Sequence, residues 1–442
     1  MTDSTFSSPI PQSGRSSAPA AISIVQRGNL KNLEQTLRKQ WRLGQSIVLC
    51  WSADERGLLV IFVPHYFLGN YCAVDEVSAQ GDSGNEVFIR QLISGRRRKK
   101  RDELFVIADR LGVAPTFIKL KAALSEEPAV EMAVEDLIKR YGLSYVDNRA
   151  VLLFDIVEFS LYTPFEQASQ LNSLSYSLNS AYSKLLAQGV EVNFARTTTG
   201  DGYYVWNRDL SAHADQDLYY FLLLVIADNT VARSASKGNT VPVIRAAYHM
   251  GSHYELYQAE GVSPTVFSYI VGDVTIELAR MIDHAEADQV LLGDFNCNMP
   301  ARDSQVSGER ITVTTPAFVR NSNRKLDALK GIQLAGKSIV SVRCELTGSE
   351  NFAGEFSPRR LCITDKHGLS RYAYDLQVAI DLEGEKLILG LGTAGPSPPE
   401  KVAVSVAEPP KGNPRAPTSA ETVYDDLALI LRKRSIKSDN ED

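Results

Sequence analysis

The chain has 442 residues, 44% of them hydrophobic and 23% charged, with a formal net charge of -6 at pH 7. That length supports two or three domains with full-sized cores, and the composition is that of a folded globular protein. The acidic balance gives no reason to expect nucleic acid as the main partner, and the scattered Cys50, Cys72, Cys297, Cys344 and Cys362 spell neither a disulfide framework nor a zinc site.

A reducing, cytoplasmic compartment is therefore expected. The longest apolar run, Leu218 to Ala227, is shorter than the ~20 residues that cross a bilayer, and the N-terminus lacks the apolar core of a signal peptide. No membrane is expected.

Residues 1–22 are Ser-, Pro- and Ala-rich and are expected to be disordered. Residues 23–145 read as an N-terminal α/β and helical module. A helical pattern runs from Asn29 to Trp41, and strands follow at Ser46–Trp51 and Gly57–Val63, joined by the turn Ser52–Arg56. Arg96-Arg97-Arg98-Lys99-Lys100-Arg101 reads as a solvated charge run opening a helix, or as a patch for phosphate, nucleic acid or an acidic partner. Apolar steps of three and four residues predict helices over Asp102–Leu111, Thr116–Leu124 and Val130–Tyr141.

Val151-Leu152-Leu153-Phe154 is apolar and stops abruptly, as a buried strand does, which leaves Asp155 where the strand exits the core. A lone buried carboxylate is costly unless paired or metal-bound. Phe165–Leu186 keeps Leu171, Leu174, Leu178, Ala181 and Leu185 on one face and predicts a long amphipathic helix. Gly200-Asp201-Gly202 then lies between Arg196-Thr197-Thr198-Thr199 and Tyr203-Tyr204-Val205-Trp206, the composition of a tight hairpin with Asp201 at its tip. Two hard oxygen ligands aimed at one place suit Mg²⁺ or Mn²⁺, and a metal pair roughly 3.5–4 Å apart can hold both the attacking and leaving oxygens of a phosphoryl displacement. Leu218–Ala227 is apolar all round and should be buried, as helix or strand by pattern alone.

In this order the chain resembles the class III nucleotidyl cyclases, the adenylate and guanylate cyclase family. Phe154-Asp155-Ile156-Val157-Glu158-Phe159-Ser160 looks like the first metal motif and Gly200-Asp201-Gly202 like the second. Arg245-Ala246-Ala247-Tyr248-His249-Met250-Gly251 is similar to the family's Arg-x-Gly-x-His-x-Gly strand. Tyr269-Ile270-Val271-Gly272-Asp273-Val274, followed by Ala279-Arg280-Met281, resembles the segment opening its arginine-bearing helix.

The resemblance implies an α/β (α+β) catalytic domain over residues 146–348, the class III cyclase sandwich with an antiparallel-rich sheet, in which 218–227 is a helix. It implies that Asp155, Asp201 and the backbone carbonyl of Ile156 hold two divalent metal ions, Mn or Mg. Arg245 would bind terminal phosphates, and Arg280 would face the α-phosphate in the transition state. Lys330 or Lys337 would grip the triphosphate, with spacing to a strand at Ser338–Leu346 favouring Lys337. In the family the metal carboxylates come from one protomer and the arginine, base readers and lysine from the other, so this chain implies a homodimer with shared active sites.

Departures from the family pattern bear on the substrate. Ile276 stands where an asparagine usually orients the ribose, while Ala195, with Arg196 and Thr197 beside it, and Tyr269 stand where purine readers are usual. A bulky Tyr269 shrinks the base pocket, which favours a pyrimidine. These departures resemble the pyrimidine cyclases of bacterial Pycsar anti-phage systems. They imply CTP or UTP as the nucleoside triphosphate substrate, cCMP or cUMP as a product acting on a separate effector protein, and Arg196, Thr197 and Tyr269 as nucleotide-binding residues. An adenylate or guanylate cyclase with unusual base contacts and a non-catalytic nucleotide sensor are the alternatives.

Residues 349–392, with Arg360–Gly368, Arg371–Asp375 and a strand at Leu387–Gly390, are similar to the small β-rich sensor domain of some bacterial defence cyclases. They read equally as a β appendage closing the catalytic domain. Residues 393–442 combine a Pro-rich linker with a short amphipathic helix from Glu421 to Lys433.

Overall fold

The computed structural model describes residues 22–41, 44–73, 84–190, 192–209, 211–259, 266–300, 310–350, 356–365 and 368–390. All of these belong to one unit, Met1–Gly395. The N-terminal disorder, the Pro-rich linker and the helix from Glu421 to Lys433 are expectations that lie outside the described residues.

The N-terminal part runs α1 (Ile24–Trp41), β1 (Ser46–Asp54), β2 (Gly57–Pro64), α2 (Phe67–Ala73), α3 (Gly84–Ile93), α4 (Arg101–Leu111), β3 (Thr116–Lys119) and α5 (Pro128–Arg140). The central part continues with β4 (Leu143–Ile156), α6 (Pro164–Ala187), β5 (Phe194–Thr198), β6 (Gly202–Asn207), α7 (Ala214–Ala235), β7 (Ile244–Ala259), β8 (Val266–Val271) and α8 (Asp273–His284). Next come β9 (Val290–Gly293), β10 (Asn296–Pro300), β11 (Arg310–Thr314), α9 (Thr315–Asn323), β12 (Gln333–Leu334) and β13 (Lys337–Leu346). The last elements of the described residues are β14 (Gly348–Glu350), β15 (Phe356–Pro358), β16 (Arg360–Thr364), β17 (Ser370–Leu382) and β18 (Glu385–Leu389).

The fold is mixed α+β, as expected, around a sheet ordered β12-β13-β17-β9-β7-β4-β6-β5, with β16 and β18 on β17 and β8 on β7. Its pairings are antiparallel except β7 with β9. β4 is central and buried on both faces from Arg149 to Ile156, and its alternation sorts the core. Leu152, Phe154 and Ile156 pack with Leu174, Leu178 and the wholly apolar stretch of α7. Val151 and Leu153 pack with Val274, Leu278, Met281 and Ile282 of α8. The all-round apolar run is thus a helix because it lies sandwiched under the sheet. α6 starts where Thr163 and Glu166 form a reciprocal capping box with Pro164 in the first turn.

Three expectations are corrected. Thr116–Leu124 is not a helix: Thr116–Lys119 is a strand paired with β2, in which Ile118 is buried between exposed Phe117 and Lys119, a two-residue period that β-branched and aromatic side chains favour. The basic run is not simply solvated. Arg97 is 1% exposed; its guanidinium donates to the Leu49 carbonyl at 2.9 Å and to the Leu143 carbonyl, and Arg98 pairs with Glu131 at 2.7 Å. The run lies against β1, with Trp51 N–H donating to the Arg97 carbonyl and Lys99 N–H to the Trp51 carbonyl.

The boundaries drawn at 145/146 and 348/349 also fall inside β4 and β14. Residues 349–392 do not stand apart: β17 pairs with β13 along Ile339–Leu346 and with β9 through Ala373–Asp375, so it lies inside the sheet. Leu376, Val378 and Ile380 fill the same core as β4.

Candidate active site

The site is built by three neighbouring strands. β4 carries Asp155 one residue before its end, opposite Gly202 of β6 on one side and Arg245 of β7 on the other. The β5–β6 turn, Thr199-Gly200-Asp201, brings Asp201 to the same end, and Ile156 N–H donates to the Asp201 carbonyl at 3.0 Å. Two glycines make this approach possible. Gly200 has φ +105°, a left-handed backbone that side chains resist, and a Cβ on Gly202 would sit 1.9 Å from the Phe154 carbonyl oxygen.

Electrostatics tie the two carboxylates together. Burial pushes the Asp155 carboxyl above its usual range, Arg245 pulls it back, and the charges of Asp201 and Asp283 push it up again. Arg245 Nε donates to Asp155 Oδ2 at 2.8 Å and its NH1 to the Ala285 carbonyl at 3.0 Å. Asp201 Oδ1 accepts from the Thr199 hydroxyl at 3.1 Å. A buried carboxylate beside a second one, with a single guanidinium as counter-charge, is an environment that a further cation relieves.

Among the described residues no group of three or more His, Cys, Asp and Glu is gathered as a metal cage. The donor set is two carboxylates with the Ile156 carbonyl available beside them. All are hard oxygens, and the set fits a Mg²⁺- or Mn²⁺-like ion that completes its shell with substrate phosphates and water.

α8 lies across the face that Asp155 shares with Val151 and Leu153, and Arg280 sits on it. Arg280 NH1 donates to Asp283 Oδ2 at 3.2 Å, and its Nε has no hydrogen-bond partner among the described residues. Thr197 lies opposite Tyr204, whose hydroxyl donates to the Thr275 carbonyl of α8, so Thr197 belongs to the Asp155 face. Tyr269 is exposed on β8, where it alternates with buried Ile270, but it pairs with Leu256, which lies opposite Leu143 at the far end of β4 from Asp155, so it is not brought to the carboxylates; Ile276 is exposed on α8.

Other expected site residues are not brought to the carboxylates. Arg196 lies opposite Val205 of the α6–α7 core and donates to Asn179 Oδ1 of α6 at 3.1 Å, on the sheet face away from Asp155. Its neighbours alternate faces, so Ala195 and Thr197 point to α8 while Arg196 cannot. Lys330 pairs with Asp327 at 2.8 Å and Lys337 with Glu385 at 2.5 Å. β13, which begins at Lys337, lies four strands from β4, ~19 Å at ~4.8 Å per strand. Asp283 belongs to none of the sequence motifs, although its three-residue spacing from Arg280 is a readable helical pair.

No protein-family model and no curated protein matches this chain. Solved structures similar to it include the adenylyl cyclase CyaB from P. aeruginosa, at 13% identity and TM-score 0.31 over 53% of this chain and 95% of that one. The guanylate cyclase domain of RhGC from Catenaria anguillulae in complex with GTP is similar at 13% identity and TM-score 0.29, over 53% of this chain and 97% of that one. A bacterial light-regulated adenylyl cyclase is similar at 14% identity and TM-score 0.28, over 43% of this chain and 58% of that one. Likenesses at this identity and TM-score leave the functional reading to the site itself.

Proposed function

We propose that this protein is a class III-type nucleotidyl cyclase, which closes a nucleoside triphosphate into its 3′,5′-cyclic monophosphate and releases pyrophosphate. The observation that carries the reading is the convergence of Asp155 and Asp201, one at the end of β4 and the other on the adjoining hairpin tip, tied by the Ile156 N–H to Asp201 carbonyl bond. In ring closure the ribose 3′-oxygen attacks the α-phosphorus, the bond to the β-phosphate oxygen breaks, and negative charge builds on phosphate oxygens. Two divalent ions, Mn or Mg, held by Asp155, Asp201 and the Ile156 carbonyl would supply a lowered hydroxyl pKa and charge neutralisation of the triphosphate. Arg245 stands beside Asp155, with two of its guanidinium nitrogens bonded to Asp155 and the Ala285 carbonyl, and would bind a terminal phosphate. Arg280, on α8 across the Asp155 face, would answer the charge on the α-phosphate.

A pyrimidine substrate, CTP or UTP, is favoured by the residues expected to meet the base. Within one chain Tyr269 pairs with Leu256, at the end of β7 away from Arg245, so its bulk and hydroxyl would act in the site of a second copy; Thr197 offers a small hydroxyl on the Asp155 face, and Ile276 no hydrogen bond at all. The product cCMP or cUMP would act as a second messenger on a separate effector protein in bacterial anti-phage defence, within the cytoplasm. Among the described residues no helix is long and apolar enough to cross a membrane. A homodimer with shared sites accounts for Lys330 and Lys337 lying away from their own chain's carboxylates, and exposed Val271 at the end of β8 and Ile276 on α8 offer apolar surface.

Incubation with ATP, GTP, CTP and UTP in turn, first with Mn²⁺ and then Mg²⁺, tests the reading by product mass. A cyclic pyrimidine nucleotide that disappears in Asp201→Ala is expected. Cyclic AMP or GMP would overturn the base assignment, and no product from any of the four would overturn the cyclase assignment.

A further inference from the structure

Besides the Tyr204 hydroxyl that donates to the Thr275 carbonyl, one carboxylate of α8 reaches two neighbouring elements at once. The Glu277 carboxylate is hydrogen-bonded through Oε2 to His249 Nε2 of β7, while Oε1 lies 3.9 Å from Arg371 Nε of β17. Arg371 NH1 donates at 3.2 Å to Oδ2 of Asp365, in the connection between β16 and β17. The His249 ring has little freedom, because the β9 backbone runs against it: a Cβ on Gly293 would sit 2.0 Å from His249 Nδ1. Hydrogen bonding to His249 holds the Glu277 carboxyl below its usual range despite burial, and the Arg371 charge acts in the same direction. The carboxylate is thus held in its charged form between a strand beneath the helix and a hairpin beside it.

Such a fastening does what apolar packing cannot. Val274, Leu278, Met281 and Ile282 press α8 onto Leu153, Ala247 and Leu291, while Ile363 and Ala373 of the β16–β17 hairpin join the same cluster. Apolar burial is non-directional and tolerates a roll of the helix about its axis, whereas a hydrogen bond and a charge contact fix an angle. Arg280 follows Glu277 by three residues, less than one turn. A roll of ~20° carries a group ~6 Å from the helix axis through roughly 2 Å, and a misplacement of about 1 Å can cost on the order of 10²-fold in rate.

We infer that Glu277, clamped between His249 and Arg371, is a positioning residue that sets the rotation of α8 and hence the reach of Arg280, and that the β16–β17 hairpin takes part in setting it. The role given to Arg280 rests on the cyclase reading above; the clamp on α8 does not. Residues of the C-terminal segment, far along the chain from both carboxylates, thereby bear on the chemistry without touching substrate.

The test combines steady-state kinetics with amide hydrogen exchange on Glu277→Ala, Arg371→Ala, Arg371→Lys and Arg280→Ala. Glu277→Ala and Arg371→Ala should each lower kcat by about 10-fold or more with the nucleotide KM changed less than about 2-fold, and Arg371→Lys should recover most of the loss. Joined to Arg280→Ala, neither should add to the loss that Arg280→Ala causes alone. Fully additive losses, or kcat and KM moving together, would overturn the inference. Exchange across 273–284 should accelerate in Glu277→Ala and Arg371→Ala while α7 keeps its protection, and unchanged exchange in both variants overturns the inference whatever the activity. Accelerated α8 exchange in a protein that turns over no nucleotide would uphold the clamp and sink the cyclase reading instead.

Discussion

Asp155 and Arg245 are register partners on β4 and β7, and the guanidinium spends its Nε on the carboxylate at 2.8 Å. The pair is largely withdrawn from water, with side-chain exposures of 11% and 24%. Arg245→Ala should leave Asp155 buried without its counter-charge and lower stability by about 2–3 kcal/mol, measured by urea unfolding near neutral pH. Asp155→Asn made in the same chain should return most of that loss. A double variant as unstable as the sum of the two single variants would show that the pair is not coupled.

With only two carboxylates in the donor set, divalent ions should bind well only together with a triphosphate. Mn²⁺ alone should shift the melting temperature little. Mn²⁺ with the substrate nucleotide at ~100 times its Kd should stabilise by about 3 kcal/mol, a rise of several degrees. Asp201→Asn should remove the combined effect. A full shift from Mn²⁺ alone would point to ligands beyond this pair.

The two glycines of the turn should be sensitive for different reasons. Gly202→Ala drives a Cβ to 1.9 Å from the Phe154 carbonyl oxygen and forces β6 away from β4, so a loss of more than about 2 kcal/mol is expected. Gly200→Ala has open space around the new Cβ but must hold φ +105°, which should cost about 1–2 kcal/mol. Urea titrations of both, with product formation measured alongside, check the order. Activity should fall in each, because both backbone positions aim Asp201.

His253 makes stability depend on pH. It lies opposite Val146, and burial pushes its ring from 6.5 down to about 4, with the Gly251 backbone opposing the shift and the Arg149 charge adding to it. Below pH ~6.5 the unfolded chain takes up a proton that the folded ring refuses, so stability falls as pH drops from about 6.5 towards about 4. The loss from this group should reach about 3 kcal/mol. His253→Leu should remove that part of the slope in unfolding titrations across the interval, and an unchanged slope would assign it to other groups.

How legible each feature is in the chain depends on how local it is. Asp155 and Asp201 are announced by a strand end and a hairpin tip, each decided by a few neighbouring residues, so their convergence is readable. The α6 start is readable too, since Thr163, Pro164 and Glu166 spell the cap among themselves. The Asp155–Arg245 pair depends on the register between two strands ninety residues apart, which no local pattern fixes. Arg96–Arg101 misleads because the partners that bury Arg97, the carbonyls of Leu49 and Leu143, lie on strands far from it in sequence. Arg196 misleads by one position: alternation along β5 decides which of 195, 196 and 197 face α8, and that phase is set by pairing with β6.

The place of β17 decides how the gene can be cut. Because β17 is hydrogen-bonded to both β9 and β13, a fragment ending at 348 would bare two strand edges in the middle of the sheet. Bare edges recruit strands from other molecules, so that fragment should precipitate or exchange strands with its copies. An excised catalytic piece, or a fusion that replaces the C-terminal residues with another domain, keeps its sheet only if the cut comes after β18.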